Sequence, residues 1–178
     1  MNFDQQALAS RIRTVPDFPK PGIMFRDITT LLKDAAAFEQ AVDVLYTKYK
    51  DARIAKVVCI ESRGFILGAA LALRLKAGFV PIRKKGKLPA PTVQERYALE
   101  YGTDAVEIHT DAIIPGERVL IHDDLLATGG TVSAACRLVE KLGGSIAGLS
   151  FLIELSFLKG RAQVGAYDVF SIIEYHAE

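Results

Sequence analysis

Two adjacent acids and a loop of small residues form the stretch of this sequence with the clearest chemical meaning. Asp123 and Asp124 follow an apolar run, Val119–Ile121, and stand shortly before the loop Ala127–Thr131. After the loop, apolar residues recur every three to four positions, which predicts a helix. Loop amides and a helix N-terminus attract phosphate, whereas carboxylates accept hydrogen bonds from sugar hydroxyls. The stretch therefore predicts a site for a phosphorylated sugar at the end of a strand.

The loop does not match either common nucleotide-binding motif. The pattern G-x-x-x-x-G-K-[ST] is missing because no lysine follows Gly130, and G-x-G-x-x-G is also missing. An ordinary strand-to-helix turn, with glycines for tight geometry, is the alternative interpretation. Because successive strand residues point to opposite faces, Asp123 and Asp124 can both face a ligand only if the chain turns at the strand end.

A second anion-binding position is predicted at the same edge of the sheet. Glu61-Ser62-Arg63-Gly64 stands between an apolar run, Val57–Ile60, and a helical pattern, Phe65–Leu75. The order strand, turn, helix, strand is typical of a parallel sheet, in which both turns lie at the carboxyl edge. Close packing on the sheet explains Gly64 and Gly68 better than the alternative, a contact pair between helices.

The densest basic cluster of the chain comprises Arg83, Lys84, Lys85 and Lys87. It is followed by Leu88–Thr92, which carries two prolines and no apolar period, so we expect a long mobile loop. A clamp for pyrophosphate explains the positive charge best, and a solvated surface loop is the alternative. A nucleic-acid patch is disfavoured because the cluster lacks interleaved aromatic residues.

The remaining patterns predict a single α/β domain over residues 1–178, built on a parallel twisted sheet flanked by helices. The further predicted strands are Phe79–Ile82, Val93–Tyr101, Ala105–Thr110, Ile146–Leu155 and Val169–Ile173, of which the second and third form a hairpin. The further predicted helices are Gln5–Arg13 and a segment that follows the N-cap Asp34 and ends near Lys50. Prolines make Val15–Gly22 irregular.

Composition is that of a soluble globular protein and disfavours several other classes. Half of the 178 residues are hydrophobic, and the net charge of +1 favours neither a nucleic acid nor a membrane as partner. No apolar run reaches the roughly 18 residues of a membrane-spanning helix, and the N-terminus lacks a signal-peptide pattern. Cys59 and Cys136 stand in apolar surroundings, which favours buried thiols and a cytoplasmic protein. Three scattered histidines and no C-x-x-C argue against a zinc site.

Five separated segments of the sequence share one resemblance: Phe18–Asp27, Glu61–Phe65, Ile82–Pro89, Tyr97–Gly102 and Asp123–Thr131. Together they resemble the adenine branch of the type I phosphoribosyltransferases over nearly the whole chain, whereas the loop alone is similar to the phosphoribosyl-pyrophosphate (PRPP) loop of the wider family. Two positions depart from the family pattern, because His122 replaces a usually apolar residue and Glu61 a common Asp. For His122 we favour a satisfied, partly buried imidazole over a pH-sensitive neighbour of Asp123.

This resemblance implies purine salvage, in which adenine and PRPP give AMP and pyrophosphate with Mg²⁺ as cofactor. It implies that the substrate pyrophosphate and water hold most of the Mg²⁺, so no dedicated protein ligand is expected. It also implies a small hood contributed by roughly residues 1–33, a mobile β-hairpin loop and a homodimer.

The resemblance also assigns the base-binding positions. Phe25 is expected to stack on adenine, and the backbone of Met24 and Arg26 to read the edge of the base. A core anchor under a long loop is the alternative for Phe25. Glu100, beside Tyr101 on the hood, is expected to handle the proton lost at purine N9, with an exposed strand carboxylate as the alternative.

The PRPP-binding positions follow from the same resemblance. The acids are expected to face the ribose, the loop to hold the 5′-phosphate, and the cations to hold pyrophosphate, with Arg83 and Lys87 often supplied by the neighbouring subunit. Arg63 is expected to be catalytic as well. The full set is Ser62, Arg63, Arg83, Lys84, Lys87, Tyr101, Asp123, Asp124, Ala127, Thr128, Gly129, Gly130 and Thr131.

Two other functions stay open from the sequence. A relative that uses hypoxanthine or xanthine needs a donor for the 6-oxo group, commonly a lysine after the phosphate loop. Lys141 stands too far along the predicted helix for this, and Lys159 is the only later lysine. A PRPP-sensing regulator without catalysis usually carries an additional nucleic-acid-binding domain, for which this chain has no room.

Overall fold

A seven-stranded mixed sheet forms the centre of the molecule, and a two-stranded sheet lies in the N-terminal segment. The computed structural model describes residues 4–98 and 103–177. The strands are β1 (Arg13–Val15), β2 (Phe25–Asp27), β3 (Lys56–Ile60), β4 (Gly78–Lys84), β5 (Thr92–Ala98), β6 (Thr103–His109), β7 (Arg118–Leu126), β8 (Ser145–Leu155) and β9 (Val169–Tyr175). The helices are α1 (Gln5–Ala9), α2 (Thr29–Leu32), α3 (Ala35–Tyr49), α4 (Gly64–Leu75) and α5 (Gly130–Lys141), and two 3₁₀ turns span Ser156–Leu158 and Gly160–Gln163.

The strand order in the large sheet is β5-β6-β4-β3-β7-β8-β9. The strands from β4 to β9 in this order run parallel, whereas β5 and β6 add an antiparallel hairpin at one edge. The predicted parallel α/β sheet is therefore confirmed, with a mixed edge. Because β3 and β7 are neighbours, the turns that follow them open at the same carboxyl edge, where ligands bind in sheets of this kind.

Alternate residues of β3 show how the helices cover both faces of the sheet. Val57 and Cys59 belong to the core on the side of α3 and α4, whereas Val58 and Ile60 belong to the core on the side of α5. All four side chains are at most 2% exposed. A strand that is buried on both faces requires such a continuous apolar run.

The helix α3 begins as predicted. The carboxylate of Asp34 accepts hydrogen bonds from the backbone N–H groups of Ala36 and Ala37 at 3.1 and 3.2 Å, which caps the helix. Across residues 4–98 and 103–177, no helix is long and apolar enough to cross a lipid bilayer.

The predicted N-terminal helix is too long. It ends at Ala9, and Arg13–Val15 instead forms β1, which pairs antiparallel with β2. Thr14 and Val15 are β-branched, and Val15 precedes a proline, so both the side chains and the next residue favour an extended backbone. Pairing with β2 then supplies the backbone hydrogen bonds that a longer helix would have made.

Two predicted strands are too short at their carboxyl ends. β4 continues through Arg83 and Lys84, which pair with Glu107 and Val106 of β6, so these two cations belong to a strand rather than to a loop. β7 continues to Leu126 because it pairs with β8 along this whole length. In both cases backbone pairing with a neighbouring strand continues the strand beyond the apolar residues from which it was predicted.

Candidate active site

A cavity of about 510 Å³ opens at the carboxyl edge of β3, β4 and β7. A smaller cavity of about 80 Å³ adjoins it at the loop before α5, and the two share Asp123, Leu125, Ala127 and Thr131. The larger cavity is lined by Phe25, Ile60, Glu61, Ser62, Arg63, Lys84, Tyr97, Val106, Asp123, Asp124, Leu125, Ala127 and Thr131. Both predicted anion-binding turns and one predicted base-binding residue therefore meet at a single site.

The loop between β7 and α5 has the geometry of an anion site. Gly129 adopts a φ of +88° immediately before α5, a backbone conformation that glycine takes without steric cost. The first turn of a helix leaves its N–H groups without intrahelical acceptors, so this helix end presents donors. The predicted loop residues Ala127, Thr128, Gly129, Gly130 and Thr131 all line the smaller cavity. The loop thus offers backbone donors and a helix N-terminus to an anion.

Both acids line the larger cavity, although β7 does not turn at them. The strand stays extended through both residues, so the turn on which a joint role of the two acids was expected to depend does not form here, and a ligand contact by both carboxylates stays a prediction. The carboxylate of Asp123 accepts a hydrogen bond from the Asp124 N–H at 2.8 Å. Burial and the charge of Asp124 raise the pKa of Asp123, and burial raises the pKa of Asp124 against the opposing effect of Arg63. A hydrogen-bond donor such as a sugar hydroxyl would stabilise the charged form of this pair.

Arg63 connects the two turns. It directly precedes α4, and its Nε lies 2.8 Å from Asp124 Oδ2, while its guanidinium lies 5.1 Å from the centroid of the Phe25 ring. The buried Asp124 Oδ2 has no hydrogen-bond donor among the described residues, so the contact is an ion pair without hydrogen-bond alignment. The Arg63 side chain is 35% exposed, which leaves donors open towards the cavity. Ser62 precedes it after a cis peptide bond with Glu61.

The predicted base-binding segment coincides with β2 and the residue before it. Phe25 lines the cavity, and its ring meets the Phe18 ring edge-on at a centroid distance of 5.0 Å. The guanidinium of Arg26 instead lies 4.0 Å from the centroid of the Tyr175 ring, and Met24 is 37% exposed. Of the three side chains, that of Phe25 is therefore the one in position to contact a ligand, and the backbone roles of Met24 and Arg26 stay predictions.

The predicted pyrophosphate-binding cations have different surroundings. Arg83 donates two hydrogen bonds to the Glu61 carboxylate, at 3.2 and 3.0 Å, and these bonds are the main cause that lowers the pKa of Glu61. Lys84 lines the cavity and forms an ion pair with Asp104 at 3.2 Å. Lys87 is exposed. Glu61, which opens the turn before α4, thus holds the end of β4. The segment that follows between β4 and β5, residues 85–91 with Lys87, is called the basic turn.

Glu107 of β6 also supports this basic turn, and the sequence interpretation missed it. Its side chain is 2% exposed. One carboxylate oxygen accepts hydrogen bonds from the N–H groups of Lys87 and Leu88, both at 3.0 Å, and the other from Thr92 and Gln94 at 3.3 and 3.4 Å. Burial opposes ionisation, but the hydrogen bonds outweigh it and hold the pKa of Glu107 below its usual value. The local sequence shows only an acid between Val106 and Ile108, which does not indicate the amides that it meets in the fold.

His122 differs from its prediction. It is fully buried rather than partly buried, because β7 is covered on both faces, and burial lowers the pKa of its imidazole to about 4. Its Nδ1 lies 3.0 Å from the hydroxyl of Ser150, but its Nε2 has no hydrogen-bond partner among the described residues. The imidazole is therefore satisfied at one nitrogen only.

The two glycines of α4 bring this helix directly onto the sheet. A Cβ atom at Gly68 would lie 2.2 Å from the sulfur of Cys59, and a Cβ at Gly64 would lie 2.7 Å from Asp123 Oδ1. The predicted close packing on the sheet is therefore confirmed. This contact places the start of α4, with Arg63, beside the acids of β7.

Glu100 and Tyr101 lie outside the described residues, as does Gly102 of the predicted hairpin turn. The described part of β5 ends close to the site, because Tyr97 lines the larger cavity and its hydroxyl donates a hydrogen bond to Asp104 at 3.2 Å. Tyr97 was part of a recognised segment but was not predicted as a site residue.

Comparison with known proteins identifies the family. The family model of the phosphoribosyl transferase domain matches residues 29–177. The adenine phosphoribosyltransferase of Acidobacterium capsulatum is 59% identical over 170 residues, which cover 96% of this chain and 94% of that protein. That of Desulfitobacterium hafniense is 57% identical over 164 residues, which cover 92% of this chain and 95% of that protein.

Solved structures agree with these relatives. The crystal structure of adenine phosphoribosyltransferase from Thermoanaerobacter pseudethanolicus is 50% identical, with a TM-score of 0.94 over 97% of this chain and 100% of that chain. The Saccharomyces cerevisiae structure, a complex with an imino-altritol bisphosphate and adenine, is 39% identical, with a TM-score of 0.90 over 95% of this chain and 98% of that chain. The chain therefore belongs to the phosphoribosyl transferase domain family and, within it, to the adenine phosphoribosyltransferases.

Proposed function

We propose that this chain transfers the 5-phosphoribosyl group of PRPP to adenine, which yields AMP and pyrophosphate. The observation that carries the proposal is that the two cavities share residues and together bring the loop before α5, the acids, Arg63 and Phe25 to one site. These groups suit the parts of the substrates: the 5′-phosphate, the ribose, and the pyrophosphate and base that replace each other at its anomeric carbon. The S. cerevisiae relative is complexed with a bisphosphate and adenine together, which supports the same pair of ligands.

The part of PRPP that stays in the product binds at β7 and the loop. In our proposal the amides of Ala127–Thr131 and the hydroxyls of Thr128 and Thr131 hold the 5′-phosphate. The carboxylates of Asp123 and Asp124 accept hydrogen bonds from the ribose hydroxyls. As the anomeric C–O bond breaks, the ribose gains oxocarbenium character, and two carboxylates beside the ring stabilise this positive charge.

The leaving group binds at the other turn. Pyrophosphate gains negative charge as it departs, and fixed donors that meet this charge lower the barrier. In our proposal Ser62, Arg63 and Lys84 supply such donors from the cavity wall. Arg83 adds positive charge from the end of β4, where Glu61 holds it, and Lys87 adds positive charge from the basic turn, where Glu107 accepts a hydrogen bond from its N–H.

Adenine binds under the N-terminal segment, for which we propose the role of a hood contributed by roughly residues 1–33. Phe25 stacks on the base, and a stacking contact of this kind contributes about 1–3 kcal/mol. The backbone of Met24 and Arg26 reads the base edge. Glu100 accepts the N9 proton as the new C–N bond forms, and Tyr101 is one of the proposed PRPP-binding residues.

Mg²⁺ is the proposed cofactor. Asp123 and Asp124 line the cavity with oxygen donors of the hard type that Mg²⁺ prefers, so the site fits an ion held mainly by the substrate, and among the described residues no three acids or histidines are grouped to hold a metal ion by themselves. When bound with pyrophosphate, the ion neutralises part of the charge of the leaving group. The pyrophosphate oxygens and water supply most of its ligands.

We also propose a cytoplasmic homodimer. Cys59 and Cys136 are buried free thiols, which suits a reducing compartment. Ile66 and Leu73 lie two turns apart on one face of α4 and are 44% and 82% exposed, and Phe79 beside this helix is 40% exposed. An apolar surface of this kind suits contact with a second copy. Sedimentation of the chain with and without Leu73→Glu tests this proposal, and a monomer in both cases would contradict it.

Substrate choice is tested by mixing the protein and PRPP with adenine, hypoxanthine or xanthine and measuring the release of pyrophosphate. We expect turnover with adenine. Turnover with hypoxanthine and none with adenine would overturn the proposal in favour of a 6-oxopurine enzyme. Binding of PRPP without turnover of any base would favour a regulator.

Variants test the site assignment. Arg63→Ala is expected to lower kcat by about 100-fold, since removal of one donor from a developing anion has an effect of this size, and Glu100→Ala is expected to lower kcat as well. Arg74→Ala is the matched control, because Arg74 lies at the other end of α4, where it forms an ion pair with Asp43 of α3. Unchanged AMP synthesis in the first two variants would contradict the assignment.

A further inference from the structure

The second 3₁₀ turn, Gly160–Gln163, packs against the back of the phosphate loop with backbone on backbone. A Cβ atom at Gly160 would lie 2.2 Å from the carbonyl oxygen of Ala127. From the other side, a Cβ at Gly129 would lie 2.5 Å from the carbonyl oxygen of Gly160 and 2.9 Å from Cβ of Gln163. Real Cβ contacts essentially never fall below 3.0 Å, so both glycines are needed for this approach. The loop and the turn therefore determine each other's position.

Arg161 fixes this turn to the sheet. Its guanidinium donates two hydrogen bonds to the Glu154 carboxylate, both at 2.7 Å, and a third to the carbonyl oxygen of Val169 at 3.0 Å. Glu154 lies in β8, is 2% exposed, and also accepts a hydrogen bond of 2.7 Å from Ser171 in β9. A bidentate arginine–carboxylate pair fixes both distance and orientation. One side chain thus attaches the turn to two strands.

The ion pair between Arg161 and Glu154 is better explained by geometry than by stability. The Glu154 carboxylate loses its hydration on burial, whereas the Arg161 side chain is 44% exposed, so solvent screens the attraction that offsets this cost. On the far side of the turn, Val164 is 2% exposed and packs in the same core as Val132 of α5. Arg161 and Val164 therefore hold the turn in place. Gly160, which precedes both of them in the chain, makes the contact with the loop Ala127–Thr131.

We propose that Gly160 and Arg161 are positioning residues for the 5′-phosphate of PRPP, which act by setting the backbone of Ala127–Gly129. This inference rests on the proposed role of the loop as the phosphate site. Neither residue lines either cavity in the described part of the chain. Backbone amides bind phosphate by their direction, and a displacement of about 1 Å at a site of this kind costs on the order of 100-fold in rate.

The main test is Gly160→Ala, with Gly165→Ala as the matched control. A Cβ at Gly165 would have its closest contact at 3.7 Å, an ordinary van der Waals distance, to the carbonyl oxygen of Arg161. We expect Gly160→Ala to raise KM for PRPP, and the Kd of ribose 5-phosphate by calorimetry, about tenfold or more, with KM for adenine unchanged. Gly165→Ala is expected to change none of these.

A second series does not depend on the folding of the glycine variant. Arg161→Lys keeps the charge but not the bidentate geometry, and Arg161→Gln loses both. We expect KM for PRPP to rise in the order native, Lys, Gln, while KM for adenine stays constant. A purely structural role would instead lower the melting temperature and the yield of active protein without separating the two KM values.

The outcomes separate this inference from the function on which it rests. Thr131→Ala, inside the loop, serves as the reference variant. If Thr131→Ala raises KM for PRPP and neither Gly160→Ala nor the Arg161 series does, the positioning role is overturned and the function stands. If none of these variants changes KM for PRPP, the assignment of the loop as phosphate site is overturned as well.

Discussion

Replacement of Glu107 by Gln tests how the basic turn is held. The native carboxylate accepts hydrogen bonds from the N–H groups of Lys87 and Leu88 at one oxygen, and from Thr92 and Gln94 at the other. A glutamine keeps the shape but has one acceptor oxygen and no charge. If this oxygen stays on the two backbone amides, the Thr92 hydroxyl and the Gln94 amide can rotate to accept from the new NH₂ group.

The expected cost follows from the two backbone hydrogen bonds. A hydrogen bond to a charged group contributes about 1.5–3 kcal/mol and a neutral one about 0.5–1.5 kcal/mol, so the exchange weakens each of the two by about 1 kcal/mol. We therefore expect Glu107→Gln to lower the free energy of unfolding by about 2 kcal/mol. Glu107→Ala, which leaves both partly buried amides without a protein acceptor, is expected to cost about 3 kcal/mol.

Inhibition by pyrophosphate distinguishes a role of Glu107 in holding the basic turn from a role in overall stability alone. In Glu107→Gln, a less well held turn is expected to weaken inhibition by pyrophosphate about tenfold, equivalent to about 1.4 kcal/mol of binding free energy. Glu95→Gln is the matched control, because the Glu95 carboxylate lies on the adjacent strand and pairs with Arg137 and Lys141 of α5 instead. Urea denaturation gives the stability, and initial rates at several pyrophosphate concentrations give the inhibition constant. Native pyrophosphate affinity in a destabilised Glu107→Gln would refute the reasoning.

Three further predictions concern the core and the N-terminal segment. The pKa of His122 is about 4 in the folded chain and near 6.5 in the unfolded chain, so the unfolded chain binds more protons between these two pH values. Urea denaturation is therefore expected to give a free energy of unfolding about 2 kcal/mol lower at pH 5 than at pH 8. His122→Asn should flatten this dependence, and an unchanged slope would contradict the assignment. Gly68→Ala is expected to lower stability by about 2–3 kcal/mol through overpacking, and the additional change Cys59→Ala should restore most of it in thermal melts; an equal loss in the double variant would show that the sulfur is not the obstacle. Arg13 and Thr29 lower the pKa of Asp27 to about 2, so its contribution to stability is present above pH 3.8 and is lost as the pH falls through 2. NMR titration of Arg13→Gln should show the Asp27 pKa closer to 3.8, and an unshifted value would exclude Arg13 as the main cause.

The parts of the site that are local in sequence were predictable. The loop Ala127–Thr131, the acids and the turn at Arg63 each follow an apolar run and precede a helical pattern, and the parallel order of strands brings them to one edge. Gly64 and Gly68 were also interpreted correctly, since two glycines four residues apart present one bare face of a helix. In each case the signal lies within a few residues of the group that uses it.

The parts that depend on distant pairing were not predictable. Glu107 acts on amides about 20 residues away in sequence, at Lys87 and Leu88. Pairing with β2 stabilises the strand β1, and pairing with β8 extends β7 beyond the apolar run Val119–Ile121. The contact of Gly160 with Ala127 likewise joins two segments whose proximity follows from the packed fold and not from either local pattern.

The ion pair between Arg63 and Asp124 has a thermodynamic consequence. With the proposed roles, the cation that binds pyrophosphate and the acid that binds ribose are each other's partners at 2.8 Å. If pyrophosphate oxygens bind the Arg63 guanidinium, the Asp124 carboxylate becomes free to accept a hydrogen bond from a sugar hydroxyl. If a sugar hydroxyl binds Asp124 first, the Arg63 guanidinium becomes free to bind pyrophosphate. Affinity at either position then depends on occupation of the other, and such a coupling is reciprocal by linkage. A ligand that carries both groups on one ring satisfies both residues together, so the pair favours PRPP over a mixture of its halves.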